Sequence, residues 1–257
     1  MKKIGVVLFW LGVSAIVPAR GETIEEVEKK LLEAHAQLKS YTANIKHKER
    51  VELTGEDFMS SNVSGSVEWM RKGSAYLYRM EIVGTSIHMI GGKEQKTDQS
   101  SVLVSDGTFF YTFAEQLGQK RYIKQKVDNS IIGDIRSVLD TVRSVNNFKL
   151  GTDEKVEGAD CYVIEVTPKT PPGDDNPIHI TLIYFRKDNG LNVRVLSRNK
   201  DGKDVYDHTL VDLKTGVSID ASRFVLHPPY GVEVTDLTDI EDATATPAPE
   251  SKPAARP

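Results

Sequence analysis

The sequence predicts a mainly β domain: one strongly curved antiparallel sheet of about ten or eleven strands, with a helix before it and a second helix inserted mid-way. Three observations carry this. Apolar residues recur at a period of two through most of the chain, and at helical spacing in only two windows. The run Val102-Leu103-Val104-Ser105-Asp106-Gly107-Thr108-Phe109-Phe110-Tyr111-Thr112-Phe113 reads as strand, tight turn, strand, because Asp-Gly between β-branched and aromatic arms is a strong hairpin signal. Two helices can cover only part of one face of so large a sheet, so a sheet bent around them is the economical arrangement.

The elements follow in order. Thr23-Ile24-Glu25-Glu26 matches a capping box, and Ile24, Val27, Leu31, Ala34 and Leu38 then form one stripe, which predicts an amphipathic helix ending near residue 40. From Tyr41 the period changes. Tyr41, Ala43, Ile45, Val51 and Leu53 mark a first strand, Val67 and Trp69 a second, and residues 75–83 a third, with Tyr76, Tyr78, Met80 and Ile82 on one side. Residues 87–90 predict a further short strand, followed by a polar loop over 91–101, the central hairpin and a strand at Arg121-Tyr122-Ile123. Helical spacing returns over 129–145, where Ile131, Ile132, Ile135, Val138, Leu139 and Val142 share a face behind Asn129 as a cap. Strands are then expected at 162–167, 178–185, 191–197, 205–213, 224–226 and 232–234. The Ala-, Thr- and Pro-rich stretch 241–257 lacks the apolar surface needed to offset its ordering entropy and predicts a disordered tail.

The N-terminus predicts export. Lys2 and Lys3 precede an apolar run over 4–17, and Ala19-Arg20-Gly21 places small residues at −3 and −1 of a cleavage site, so residues 1–21 read as a signal peptide and 22–240 as the folded domain. A run of about 14 apolar residues is short for a bilayer span, and no later segment is long and apolar enough, so no integral membrane segment is expected. Without Lys2, Lys3 and Arg20 the mature chain keeps 30 of its 33 basic side chains against 37 acidic ones. A net charge of −7 argues against nucleic acid or an anionic membrane as partner. The single cysteine, Cys161, excludes an intrachain disulfide and reads as a small buried hydrophobe.

No catalytic or metal-binding pattern is present: no GxSxG, HExxH, Walker loop or GxGxxG, and the six histidines are scattered with no pair at ligand spacing. No enzyme activity, cofactor or metal is therefore expected. Asn62-Val63-Ser64 fits a glycosylation sequon, which matters only in a eukaryotic secretory route.

Three stretches together resemble the periplasmic carriers of outer-membrane lipoproteins, the LolA-like family. These are Ser64-Gly65-Ser66-Val67-Glu68-Trp69-Met70-Arg71-Lys72, the Val-Ser-Asp-Gly hairpin, and Phe224-Val225-Leu226-His227-Pro228-Pro229-Tyr230-Gly231-Val232-Glu233-Val234. The resemblance covers about residues 23–237. It implies an incomplete β-barrel whose apolar concave face holds acyl chains beneath a helical lid, in a monomeric periplasmic carrier. Its partners would be acylated lipoproteins or lipids, an inner-membrane donor complex and an outer-membrane acceptor. On this reading Val67, Trp69, Tyr76, Tyr78, Met80, Ile82 and Phe110 are lipid-contact candidates, and Ile131, Ile135, Val138 and Leu139 form the lid stripe. The family's strand after the tryptophan ends in Arg-Pro, the Arg bonding to the lid; here the pair is Lys72-Gly73, and Lys72 inherits that gating position without the guanidinium fork. The alternative is an envelope lipid- or lipoprotein-sensing regulatory domain of the same fold.

Export is checked directly by N-terminal sequencing of the mature protein, expected to begin at or near Glu22; intact Met1 in a cytoplasmic fraction would overturn it.

Overall fold

The computed structural model describes residues 21–53, 56–127, 135–170 and 178–238. Residues 1–20, residues from 239 onward, and Asn129, Ile131, Ile132 and Gly133 of the expected second helix lie outside the described residues.

Helix α1 (Ile24–Ala36) starts where the capping box places it: Glu26 N donates to Thr23 Oγ1 at 3.2 Å and Thr23 N to Glu26 Oε2 at 2.9 Å. It ends at Ala36 with Gln37 as cap, one turn earlier than the apolar stripe suggests, because Leu38 already turns into the sheet core. The strands are β1 (Ser40–Glu52), β2 (Phe58–Lys72), β3 (Ala75–Ile90), β4 (Lys93–Ser105), β5 (Phe109–Gln116) and β6 (Gln119–Lys126). Helix α2 (Ile135–Val145) follows, then β7 (Asn146–Leu150), β8 (Glu154–Val156), β9 (Ala159–Pro168), β10 (Ile180–Arg186), β11 (Asn192–Arg198), β12 (Asp204–Thr215) and β13 (Val234–Asp236). They form one curved, unclosed sheet in the order β13-β6-β5-β4-β3-β2-β1-β12-β11-β10-β9-β7, with β8 on β9; all pairings are antiparallel except β13 on β6.

The described residues form thirteen strands where ten or eleven are expected, and the differences have physical causes. The stretch 91–101 is not a loop: from Lys93 it is strand, since β3 offers it a continuous ladder from Tyr78↔Ser105 to Ile90↔Lys93, and its polar residues need no buried face there. The strands expected at 75–83 and 87–90 are one, β3, running through Gly84. At Gly65 of β2, opposite Ile82, a Cβ would stand 1.8 Å from the Glu81 carbonyl oxygen, so the two backbones meet there only because the side chain is missing. Residues 224–226 are not a strand. Ala221–Phe224 is a 3-10 turn that drives Phe224, 1% exposed, against Leu77 and Val104.

Opposed residues of a ladder share a face, which separates two sides of the sheet. On one side α1 and α2 pack through Val27, Leu31 and Leu139 onto Tyr162, Ile164 and Val166 of β9, Phe185 of β10 and Phe148 of β7. The β10–β11 turn presses on α1: Gly190 has φ 69°, and a Cβ there would lie 2.4 Å from the Leu31 carbonyl oxygen. On the other side the chain after β12 crosses β2 to β6, fixed by Arg223 on Glu68 at 3.0 Å and by Tyr122 Oη donating to the Leu226 carbonyl at 2.6 Å. Phe224→Ala is expected to cost about 3–5 kcal/mol by leaving a cavity. Hydrogen exchange should then accelerate over residues 217–236 while β9 and β10 keep their protection.

Candidate functional site

Alternation along β1, β2 and β3 brings the predicted residues into rungs on the helix-bearing side. Tyr41, Trp69 and Tyr78 are mutually opposed, as are Ala43, Val67 and Met80, then Ile45, Gly65 and Ile82. The first rung continues through Ser105 to Phe110, the second through Leu103 and Thr112 to Ile123. Burial grades across them. Val67 and Trp69, 3% and 2% exposed, are core residues along with Tyr41, Ala43 and Ile45. Tyr76, Tyr78, Met80 and Ile82 are half-buried and pack against that core, and Phe110 is half-buried beyond them.

The aromatic residues are tightly ordered. Trp69 stacks between Tyr41 at 5.6 Å and Tyr76 at 5.7 Å, with His35 of α1 tilted against it at 5.8 Å. Tyr78 lies 6.5 Å from the Phe110 ring, and its hydroxyl meets the Met80 sulfur at 3.2 Å. Burial pushes the Tyr78 phenol up to about 12 and raises that of Tyr41 as well, with Tyr78 adding to the Tyr41 shift. Both are therefore neutral hydroxyls on an apolar surface at physiological pH.

The residue that ties this surface to a helix is one that sequence reasoning missed. Lys72, assigned the gating position, is exposed beside the β2–β3 turn. Its neighbour Arg71 shares the Trp69 side of β2 and donates from Nη1 to the Ala36 carbonyl at 2.8 Å and from Nη2 to the His35 carbonyl at 3.4 Å. Its guanidinium also lies over Trp69 at 5.9 Å and Tyr76 at 5.5 Å. A cation with a planar fork suits carbonyls at the negative end of a helix, here those of His35 and Ala36. The one-residue offset matters because strand alternation sends 71 and 72 to opposite sides.

The expected lid stripe divides. Ile135 and Leu139 pack with α1 over β7, β9 and β10, joined by Val142, while Val138 is 37% exposed; Ile131 lies outside the described residues. The two helices are tied by a Glu28–Arg143 ion pair, with Arg143 over the Phe148 ring at 5.0 Å. Among the described residues no group of three His, Cys, Asp or Glu side chains is placed to hold a metal ion, and no helix is long and apolar enough to cross a membrane.

No protein-family model and no curated protein sequence matches the chain. Solved structures do. They include LolA superfamily proteins, at low identity. One such protein, from Nitrosomonas europaea, is 11% identical with a TM-score of 0.26, over 80% of this chain and 99% of its own. An outer-membrane lipoprotein-sorting protein domain from Vibrio parahaemolyticus is 10% identical with a TM-score of 0.33, over 77% of this chain and 94% of its own. MucB, a protein also solved from Pseudomonas aeruginosa with MucA, is 16% identical with a TM-score of 0.45; the match covers 79% of this chain and spans 62% of the MucB chain.

Arg71→Ala is expected to free the C-terminal turn of α1, at a cost of about 1–3 kcal/mol for hydrogen bonds from a charged donor, with Arg71→Lys intermediate. Amide exchange over residues 31–38 reads the release, and Lys72→Ala should leave it unchanged.

Proposed function

We propose that this is an exported carrier which holds the acyl chains of lipoproteins or lipids on the helix-bearing side of its open sheet and moves them across the periplasm. The observation that supports the reading is the graded apolar strip. It runs from the buried Tyr41–Trp69 rung to half-buried Tyr76, Tyr78, Met80, Ile82 and Phe110, on a sheet whose end strands, among the described residues, do not pair with one another. A half-buried apolar strip that is continuous with a rigid core gives an alkyl chain a surface to lie on without closing over it.

The energetics suit transient holding. At ~0.8 kcal/mol per buried methylene, a 16-carbon chain offers about 12 kcal/mol gross, and partial burial leaves it releasable. Met80, unbranched and polarisable, adapts to a chain of undefined shape. The neutral hydroxyl of Tyr78 adds no charge to the strip. Arg71 then acts as a clasp between the strip and α1, so that loading and helix position are coupled.

Tyr78→Glu and Met80→Asp are each expected to reduce binding of a fluorescent fatty acid at least tenfold, with the far-ultraviolet circular dichroism retained. Wild-type affinity in both would place the acyl-binding surface elsewhere. Transfer of an acylated cargo between two vesicle populations separates the carrier from a lipid-sensing regulatory domain, which would bind without transferring.

A further inference from the structure

The β1–β12 ladder is the only backbone pairing that joins β1–β6 to β7–β12 among the described residues, and two histidines meet in it. His47 of β1 and His208 of β12 are directly opposed, with ring centroids 5.8 Å apart. They sit two positions along from the buried Ile45–Leu210 pair, on the same side of the sheet, and Tyr206 packs edge-on to His47 at 4.8 Å. The His47 side chain is 14% exposed.

The charges around the pair come from few places. On its own strand Glu49 approaches, with Oε2 3.9 Å from His47 Nε2. From β12 Asp207 acts on both rings, but its carboxylate is engaged by Arg194 of β11 at 2.7 and 3.0 Å and by Thr209 at 3.0 Å. Val63 of β2, opposite His47, and Val195 of β11, opposite His208, bring no charge. Lys48 adjoins His47 in β1 and pairs in register with Asp207, on the other side of the sheet. His47, once protonated, thus sets a cation 5.8 Å from the His208 ring.

We propose that the His47–His208 pair is a proton-sensitive clasp in the seam of the sheet: neutral rings pack against each other, and acid, by charging both, loosens the ladder between β1 and β12. The balance of surroundings agrees. Burial holds His47 below its ordinary value against the pull of Glu49 and Asp207; burial and then His47 itself hold His208 down against Asp207. A base with a depressed folded-state value takes up fewer protons folded than unfolded. Stability is therefore full above about 6.5, the unfolded value, and is lost as pH falls toward the lower folded values. Because β1 carries the aromatic rung and β9 and β10 carry the helices, loosening this seam would alter how the helices stand over the strip. The clasp itself does not depend on what the strip binds.

The test is an NMR titration of the imidazoles in the full mature chain. Both should titrate below about 6.5, and His47→Gln should raise the His208 value by at least about 0.5 unit, the repulsion of two unit charges about 6 Å apart even in a water-like medium. In wild type, hydrogen-exchange protection of residues 44–49 and 206–211 should fall more between pH 7.5 and pH 5 than that of 162–166 and 181–185. In the His47→Gln/His208→Gln variant the two regions should change together. An unmoved His208, or a wild-type seam that keeps pace with β9 and β10, overturns the proposal. The wild-type exchange comparison stands even if a variant fails to fold.

Discussion

Everything on the helix-bearing side depends on how Trp69 is enclosed. The indole sits between two tyrosine rings from neighbouring strands, under a histidine from α1, and beside a guanidinium that reaches the end of that helix. Aromatic packing and the carbonyl-capping arginine thus fix the helix to the sheet at one point, where β1, β2 and β3 are already locked in register. The close approach at Gly65 serves the same end, since a side chain there would part β2 from β3 two rungs away from the tryptophan.

From that fixed point the surface opens by degrees. The rungs leave the core through residues that are half covered, and the far strands β5 and β6 continue them with Phe110, Thr112 and Ile123. The reverse side of the same strands is closed differently. Phe224 plugs it, and the crossing segment ends as a short parallel strand on β6, which covers an edge that would otherwise be open to pairing. One side is crossed by the chain itself and the other is graded toward solvent. That asymmetry makes the helix-bearing side the candidate binding surface.

Much of this was legible in the residues. The capping box, the period-two runs and the Asp106-Gly107 turn, whose Asp106 Oδ1 accepts from Thr108 N and Phe109 N at 2.8 Å each, lie in the structure where local chemistry puts them. Strand alternation alone placed Tyr76, Tyr78, Met80 and Ile82 together. What it could not give was their depth: Val67 and Trp69, on the same side as Met80 and Tyr78, are core rather than surface because they share a cluster with Leu38, Tyr41 and residues from distant strands such as Leu191, Val193 and Leu210. The polar strand from Lys93 was equally invisible, since its pairing comes from β3 and not from its own pattern.

The sequence by itself determined which residues share a side, because that is set by a period of two within each strand and a period of 3.6 within each helix. Tertiary structure alone decided which sides meet. Arg71 rather than Lys72 reaches α1 because the helix end settles over the odd-numbered side of β2. His47 and His208, with no relation along the chain, become neighbours because the sheet's order brings β12 back beside β1. Long-range pairing depends on how all the strands close together, and no local window of residues carries that information.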